Sequence, residues 1–179
     1  MREVRPPMNE KLISFQLNGE SVVVAVPPNE TLLDTLRERL HVTSPKKTCE
    51  RGECGACTVI LDGVAVNACL VLTVSIRGKS VITVEGIGSP EKLHPLQEAF
   101  LRLGAVQCGY CTPGMILSAK AFLDQHPDPT YEQVAEALSG NLCRCTGYVK
   151  PIEAVLEAAR IMREVGTRGE AEPAWTPTR

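Results

Sequence analysis

The sequence predicts an α+β protein in which a strand-rich half precedes a helical half. Residues 12–84 carry short alternating apolar segments bounded by two-residue turns. Residues 94–165 carry segments of helical period opened by proline or capping residues. Between them, residues 86–95 (GIGSPEKLHP) form a break rich in Gly and Pro. These observations divide the chain into units at 10–86 and 87–165, with loose ends at 1–9 and 166–179.

The first strand is predicted at 12–17, ending at Asn18-Gly19, a strong hairpin signal. Its partner, 21–26, stops at Pro27-Pro28. Residues 31–39 have helical spacing, with Leu32, Leu33, Leu36 and Leu40 on one face and Thr31/Asp34 as a capping pair. A second hairpin, 58–61 with 64–66, turns at Asp62-Gly63, and a last strand is expected at 80–84. Strands of a mixed sheet packed on one helix make an α+β unit. Four short helices follow, at 94–103, 113–125, 130–138 and 151–165, as in a compact bundle.

Composition narrows the function. The chain has 179 residues and a net charge of −2, which gives no sign of nucleic-acid or anionic-membrane binding. No apolar run approaches the roughly 18 residues of a membrane span. The N-terminus, MREVRPPMNEK, lacks the apolar core of a signal peptide, so a cytoplasmic location is expected. Thiols stay reduced there, and eight cysteines read as metal ligands rather than disulfides. Aromatic residues are only 4% of the chain, so each half has a thin core of the kind metals often staple.

The cysteines form two quartets. Cys49-x4-Cys54-x2-Cys57-x11-Cys69 has the plant-type [2Fe–2S] spacing. Two irons need four terminal thiolates, and three come from one tight loop, CERGECGAC. Gly52 and Gly55 permit turns with positive φ and bring amide N–H groups near the sulfurs. Cys69 returns after the Asp62-Gly63 hairpin. A zinc site is the competing reading, but zinc favours two C-x2-4-C pairs.

In the second quartet, Cys108-x2-Cys111 is followed after 31 residues by Cys143-Arg144-Cys145. Both pairs precede expected helices, whose N-terminal N–H groups and dipole favour anionic thiolates. A thioredoxin-like C-x2-C pair would need a βαβ context that is missing. By spacing alone this quartet is a weaker cluster signal than the first.

The stretches CERGECGACTVILDG (49–63), QCGYCTPGMI (107–116) and GNLCRCTGY (140–148) resemble the small iron–sulfur subunit of molybdenum hydroxylases. That family includes xanthine dehydrogenase, aldehyde oxidoreductases, carbon monoxide dehydrogenase, N-heterocycle dehydrogenases and 4-hydroxybenzoyl-CoA reductase. The resemblance extends over about residues 10–162 in matching order. It implies a β-grasp ferredoxin-like domain followed by a four-helix-bundle [2Fe–2S] domain. It implies a large subunit with molybdopterin, in bacteria usually the cytosine dinucleotide, and a medium subunit with FAD, assembled as a dimer of heterotrimers. Electrons would run from molybdenum to the helical-domain cluster, then to the ferredoxin-like cluster, then to FAD. Gln107 and Cys145 match the family's pterin-facing positions, and a second quartet buried at that interface is expected. This chain would hold no catalytic residue of its own. The holoenzyme would hydroxylate a heterocycle, purine or aldehyde, with the reductase and carbon monoxide branches as alternatives. A free-standing two-cluster ferredoxin ranks behind these, and a zinc-stabilised module behind that.

Other signals carry less. Arg77-Gly78-Lys79-Ser80 echoes a phosphate loop, but Thr73 stands where the first glycine belongs, so a turn before a strand is expected. No G-x-G-x-x-G follows a strand, which argues against FAD or NAD on this chain. His41, His94 and His126 read as surface or capping residues. Glu50 and Glu53 read as a solvated loop, and Arg144 as either a charge partner of the cluster or an interface ion pair.

Overall fold

The structure, a computed structural model, describes residues 10–167. Of the ends expected to be loose, 1–9 and 166–179, the stretches 1–9 and 168–179 lie outside the described residues, while 166 and 167 continue the last helix instead. Among the described residues, five strands and five α-helices make a mixed helix-and-sheet structure. The strands are β1 (Lys11–Leu17), β2 (Glu20–Val26), β3 (Thr58–Leu61), β4 (Val64–Asn67) and β5 (Ser80–Ile82). They form one mixed sheet in the order β2-β1-β5-β3-β4, with β1 and β5 parallel and the other pairs antiparallel.

Both hairpins close as the sequence predicts. Leu17 pairs with Glu20 and Leu61 with Val64, leaving two-residue loops. Asn18, Gly19, Asp62 and Gly63 all have positive φ, as a twist-matched hairpin turn requires. Alternation sends Ile13, Phe15 and Leu17 of β1 into the core and leaves Leu12 outside.

The helix α1 (Leu32–Asp34) starts at Thr31, whose Oγ1 accepts from the Asp34 amide at 3.1 Å. It widens at once into a π turn, Thr35–Arg39. Leu32, Leu33 and Leu36 are buried as their spacing predicts. The widening was not legible, because it accompanies a buried hydroxyl pair: Thr35 Oγ1 lies 2.7 Å from Thr73 Oγ1 and donates to Glu30 at 2.7 Å. Two further departures are local. Residues 68–70 and 73–76 are 3₁₀ turns, and β5 stops at Ile82 because Val84–Gly86 turns away.

The helical half comprises α2 (Pro95–Arg102), α3 (Thr112–Leu123), α4 (Tyr131–Ala137) and α5 (Val149–Thr167). The last is not short; it has 19 residues and starts two residues before Pro151. His94 caps α2: its Nδ1 accepts from the Leu96 amide at 3.2 Å while Gln97 Oε1 accepts from the His94 amide at 2.9 Å. Thr130 and Gln133 form the same reciprocal box on α4. Phe100, Leu96, Met115, Val134 and Val155 pack the helical core. Among the described residues no helix is long and apolar enough to cross a membrane.

The halves are joined rather than merely tethered. Leu117 and Ala121 of α3 bury against Ile60 of β3, with Ile82, Val84 and Ile87 around them. This contact lays α3 across the sheet and carries its first residues toward the cysteine loop that precedes β3. The phosphate-loop echo is a turn: Gly78 has φ +74° and donates to Ser14 O, and Arg77 donates to Leu12 O.

Candidate metal centres

The first quartet lies at the edge of the strand-rich core. Cys57, just before β3, and Cys69, after β4, are buried; Cys49 and Cys54 are half-buried. The Cys49 thiol interacts with that of Cys54, and the Cys57 thiol with that of Cys69. Gly52 and Gly55 have φ of +77° and +66°, the turns expected of them. Amides of the loop point at Cys49: Arg51 N–H donates to its sulfur at 3.5 Å, and Glu53 and Cys54 add backbone donors. The Arg51 amide, then Cys54 and Glu53, hold the Cys49 thiol down at about 6. Burial pushes its counterpart Cys57 up to about 12, with the Cys69 thiol adding to the rise.

The second quartet sits where α3 and α5 begin. Cys111 is the residue before α3, and Cys143 and Cys145 precede α5. Cys111 pairs with Cys143, and Cys145 donates to Cys108 across 3.6 Å. Cys108 and Cys145 are exposed and the other two half-buried, so this quartet lies nearer the surface than the first. Burial raises Cys111 to about 12, reinforced by Cys143. For Cys143, burial opposes ionisation, but the Thr146 hydroxyl and the Cys145 and Thr146 amides outweigh it, leaving it at about 7. The thiol of Cys108 raises that of Cys145.

The donor set fits two-iron clusters. A [2Fe–2S] cluster takes four thiolates, two per iron, and the eight sulfurs fall into four pairs, two within each quartet. Each quartet also aims N–H or O–H donors at sulfur, which stabilise thiolate and tune a cluster's potential.

Several residues around the quartets were not singled out from sequence. Thr146 Oγ1 donates to Cys143 Sγ at 3.2 Å, and Tyr148 Oη accepts from the Cys143 amide at 2.8 Å. Asn141, buried, donates to Gly55 O at 3.0 Å, and the Leu142 amide donates to Cys54 O at 2.9 Å. Tyr110 Oη donates to Lys47 O at 3.0 Å. Asn141, Leu142, Thr146 and Tyr148 lie in GNLCRCTGY and Tyr110 in QCGYCTPGMI, but no spacing rule marks such hydrogen-bonding neighbours of a ligand loop. Gln107 is exposed beside Cys108. Arg144 is exposed, and among the described residues nothing pairs with it. Glu50 and Glu53 form surface ion pairs with Lys47 and Arg51. His41 is exposed, and His126 stacks on Phe122.

Residues 15–74 match the 2Fe-2S iron-sulfur cluster binding domain family, and residues 83–156 the [2Fe-2S] binding domain family. The chain is 54% identical over 143 residues to the nicotinate dehydrogenase small FeS subunit of Eubacterium barkeri, covering 80% of this chain and 91% of that one. It is 51% identical over 152 residues to the nicotine 6-hydroxylase small subunit of Paenarthrobacter nicotinovorans, covering 85% and 92%. Among solved structures it resembles quinoline 2-oxidoreductase from Pseudomonas putida 86, with TM-score 0.84 and 44% identity, covering 90% of this chain and 99% of that one. It also resembles the aldehyde oxidoreductase of Desulfovibrio desulfuricans, with TM-score 0.84 and 47% identity, covering 86% of this chain and 17% of that longer one.

Proposed function

The chain belongs to the [2Fe–2S] subunits of molybdenum hydroxylases, and from that premise we propose how its residues serve electron transfer and what the whole enzyme acts on. Each bound cluster supplies a one-electron relay. Cys49, Cys54, Cys57 and Cys69 hold the first, in a β-grasp ferredoxin-like domain at 10–86. Cys108, Cys111, Cys143 and Cys145 hold the second, in a four-helix domain at 87–165. The observation that carries this assignment is the pairing of all eight thiols within their own quartets.

The chain's own residues prepare thiolates and shield them. Loop amides and the Thr146 hydroxyl stabilise Cys49 and Cys143 as anions. Cys57 and Cys111 resist ionisation, so iron must displace their protons. The exposed edge of the second quartet, with Gln107 beside Cys108, faces the molybdopterin cytosine dinucleotide of a large subunit. A medium subunit holds FAD and receives electrons from the first cluster, and the cytoplasmic enzyme is a dimer of heterotrimers.

The substrate is an aromatic N-heterocycle hydroxylated on the large subunit. The names of relatives at 54%, 51% and 47% identity, two nicotinate dehydrogenases and a nicotine hydroxylase, support that class. An aldehyde is the second reading, favoured by the aldehyde oxidoreductase structure at 47% identity. Purification from the native host tests both levels. Co-purification of molybdenum and FAD subunits, with turnover of a pyridine carboxylate well above that of aldehydes, is expected. Recovery of the chain alone would contradict the subunit role; preference for aldehydes would select the second reading.

A further inference from the structure

The two cysteine loops meet at a junction where backbone lies directly on backbone at Gly55 and Gly114. Gly55 O accepts from Asn141 Nδ2 at 3.0 Å, from Thr58 Oγ1 at 2.7 Å and from the Thr58 amide at 3.2 Å. Asn141 is 3% exposed, and its own amide donates to Leu138 O at the end of α4. A Cβ on Gly55 would stand 2.4 Å from Gly140 O and 2.9 Å from Asn141 Cα, both backbone atoms. A Cβ on Gly114, in the first turn of α3, would stand 2.3 Å from Gly55 O. Gly55 adjoins Cys54, Asn141 is two residues from Cys143, and Gly114 is three from Cys111. The junction therefore binds ligand-bearing segments of both quartets at one point, across 86 residues of sequence.

We infer that Asn141, together with the side-chain-free surfaces of Gly55 and Gly114, is a positioning device that fixes the spacing and orientation of the two clusters. The inference rests on the assignment of one cluster to each quartet. Asn141 touches neither sulfur nor iron in this role; it acts through the Cys54-Gly55 and Leu142-Cys143 backbones. The junction's closeness is what an apolar core contact could not supply, because directional hydrogen bonds set register as well as distance. Electron transfer between centres depends steeply on their separation, so a rigid joint of this kind controls rate directly.

The test uses the full-length chain reconstituted with iron and sulfide. Asn141→Asp keeps the side chain's shape and removes the donor. Gly114→Ala improves helix propensity while driving a methyl group into Gly55 O. With iron content at the wild-type level, both variants are expected to weaken the magnetic coupling between the reduced clusters. Pulsed reduction should find inter-cluster electron transfer slower than in the wild type. Unchanged coupling and rate in both iron-replete variants would overturn the inference. So would loss of iron in both, because the junction would then hold a ligand loop together rather than set a spacing. If only Asn141→Asp loses iron, Gly114→Ala decides by the same two readouts. A wild-type chain that takes up no iron would overturn the cluster assignment itself, and is seen before any variant is compared.

Discussion

The first quartet draws three thiols from one loop and a fourth from the end of the adjoining hairpin, so local sequence alone assembles it. The second draws two thiols from the approach to α3 and two from the approach to α5, 31 residues apart. Two of the first four are buried in the chain's own core, whereas two of the second four face outward. Yet both use the same chemical division: one sulfur surrounded by N–H or O–H donors, and one held protonated by burial. The difference teaches that the first site is enclosed by the chain's own strand-rich core, while the second leaves two of its sulfurs at the surface.

The largest effect should come from Cys145→Ser. It should remove the second cluster, halve the iron to about two per chain, and leave the signal of the first cluster intact. Loss of both signals would break the comparison by making the first site dependent on the second. Thiol labelling of the iron-free chain sharpens it. At pH 7 Cys49 and Cys143 should alkylate first and Cys57 and Cys111 last, read by mass spectrometry of peptides. With values of about 6 and about 7 against about 12 for both others, the thiolate populations differ by orders of magnitude.

Phe100→Ala tests whether the halves stand apart energetically. Phe100 is fully buried among α2, α3 and α5, and the truncation should cost about 3–5 kcal/mol in thermal or denaturant unfolding. Because α3 also packs on Ile60 of β3, part of that loss should reach the strand-rich half. A helical half that melts alone would show that this shared contact couples them weakly.

The smallest effect concerns pH. Burial, then the nearby Lys120 charge, lowers His94 to about 4, with Asp124 acting in the opposite sense. Its neutral Nδ1 accepts the α2 cap bond, and protonation removes that acceptor. The unfolded chain binds this proton more readily, so the cap's contribution is full above about pH 6.5 and fades as pH falls toward 4. His94→Asn, which keeps a capping oxygen, should flatten this pH dependence by about 1 kcal/mol. An unchanged slope would assign the acid sensitivity to other groups.

Much of the fold was legible because its signals are local. Asn18-Gly19 and Asp62-Gly63 dictate their hairpins through positive φ, and the Leu32/Leu33/Leu36 spacing marks a buried face whatever the helix type. The π turn was not legible, since it accompanies the Thr35–Thr73 pair, 38 residues apart. The cysteines were legible as quartets, and Gly52 and Gly55 as their turns. Asn141, Thr146 and Tyr148 lie within a motif, but no spacing marks their roles, because these depend on which backbone atoms a tertiary contact brings near. The exposure of Cys108 and Cys145 likewise depends on how α3 and α5 converge.

The most direct test of the two-site account is electron-spin resonance of the reduced full-length chain, with iron and sulfide counted on the same sample. The account predicts about four irons and four sulfides per chain and two distinct signals integrating to about two spins. A single signal with half the iron, or a colourless protein loaded with zinc, would contradict it.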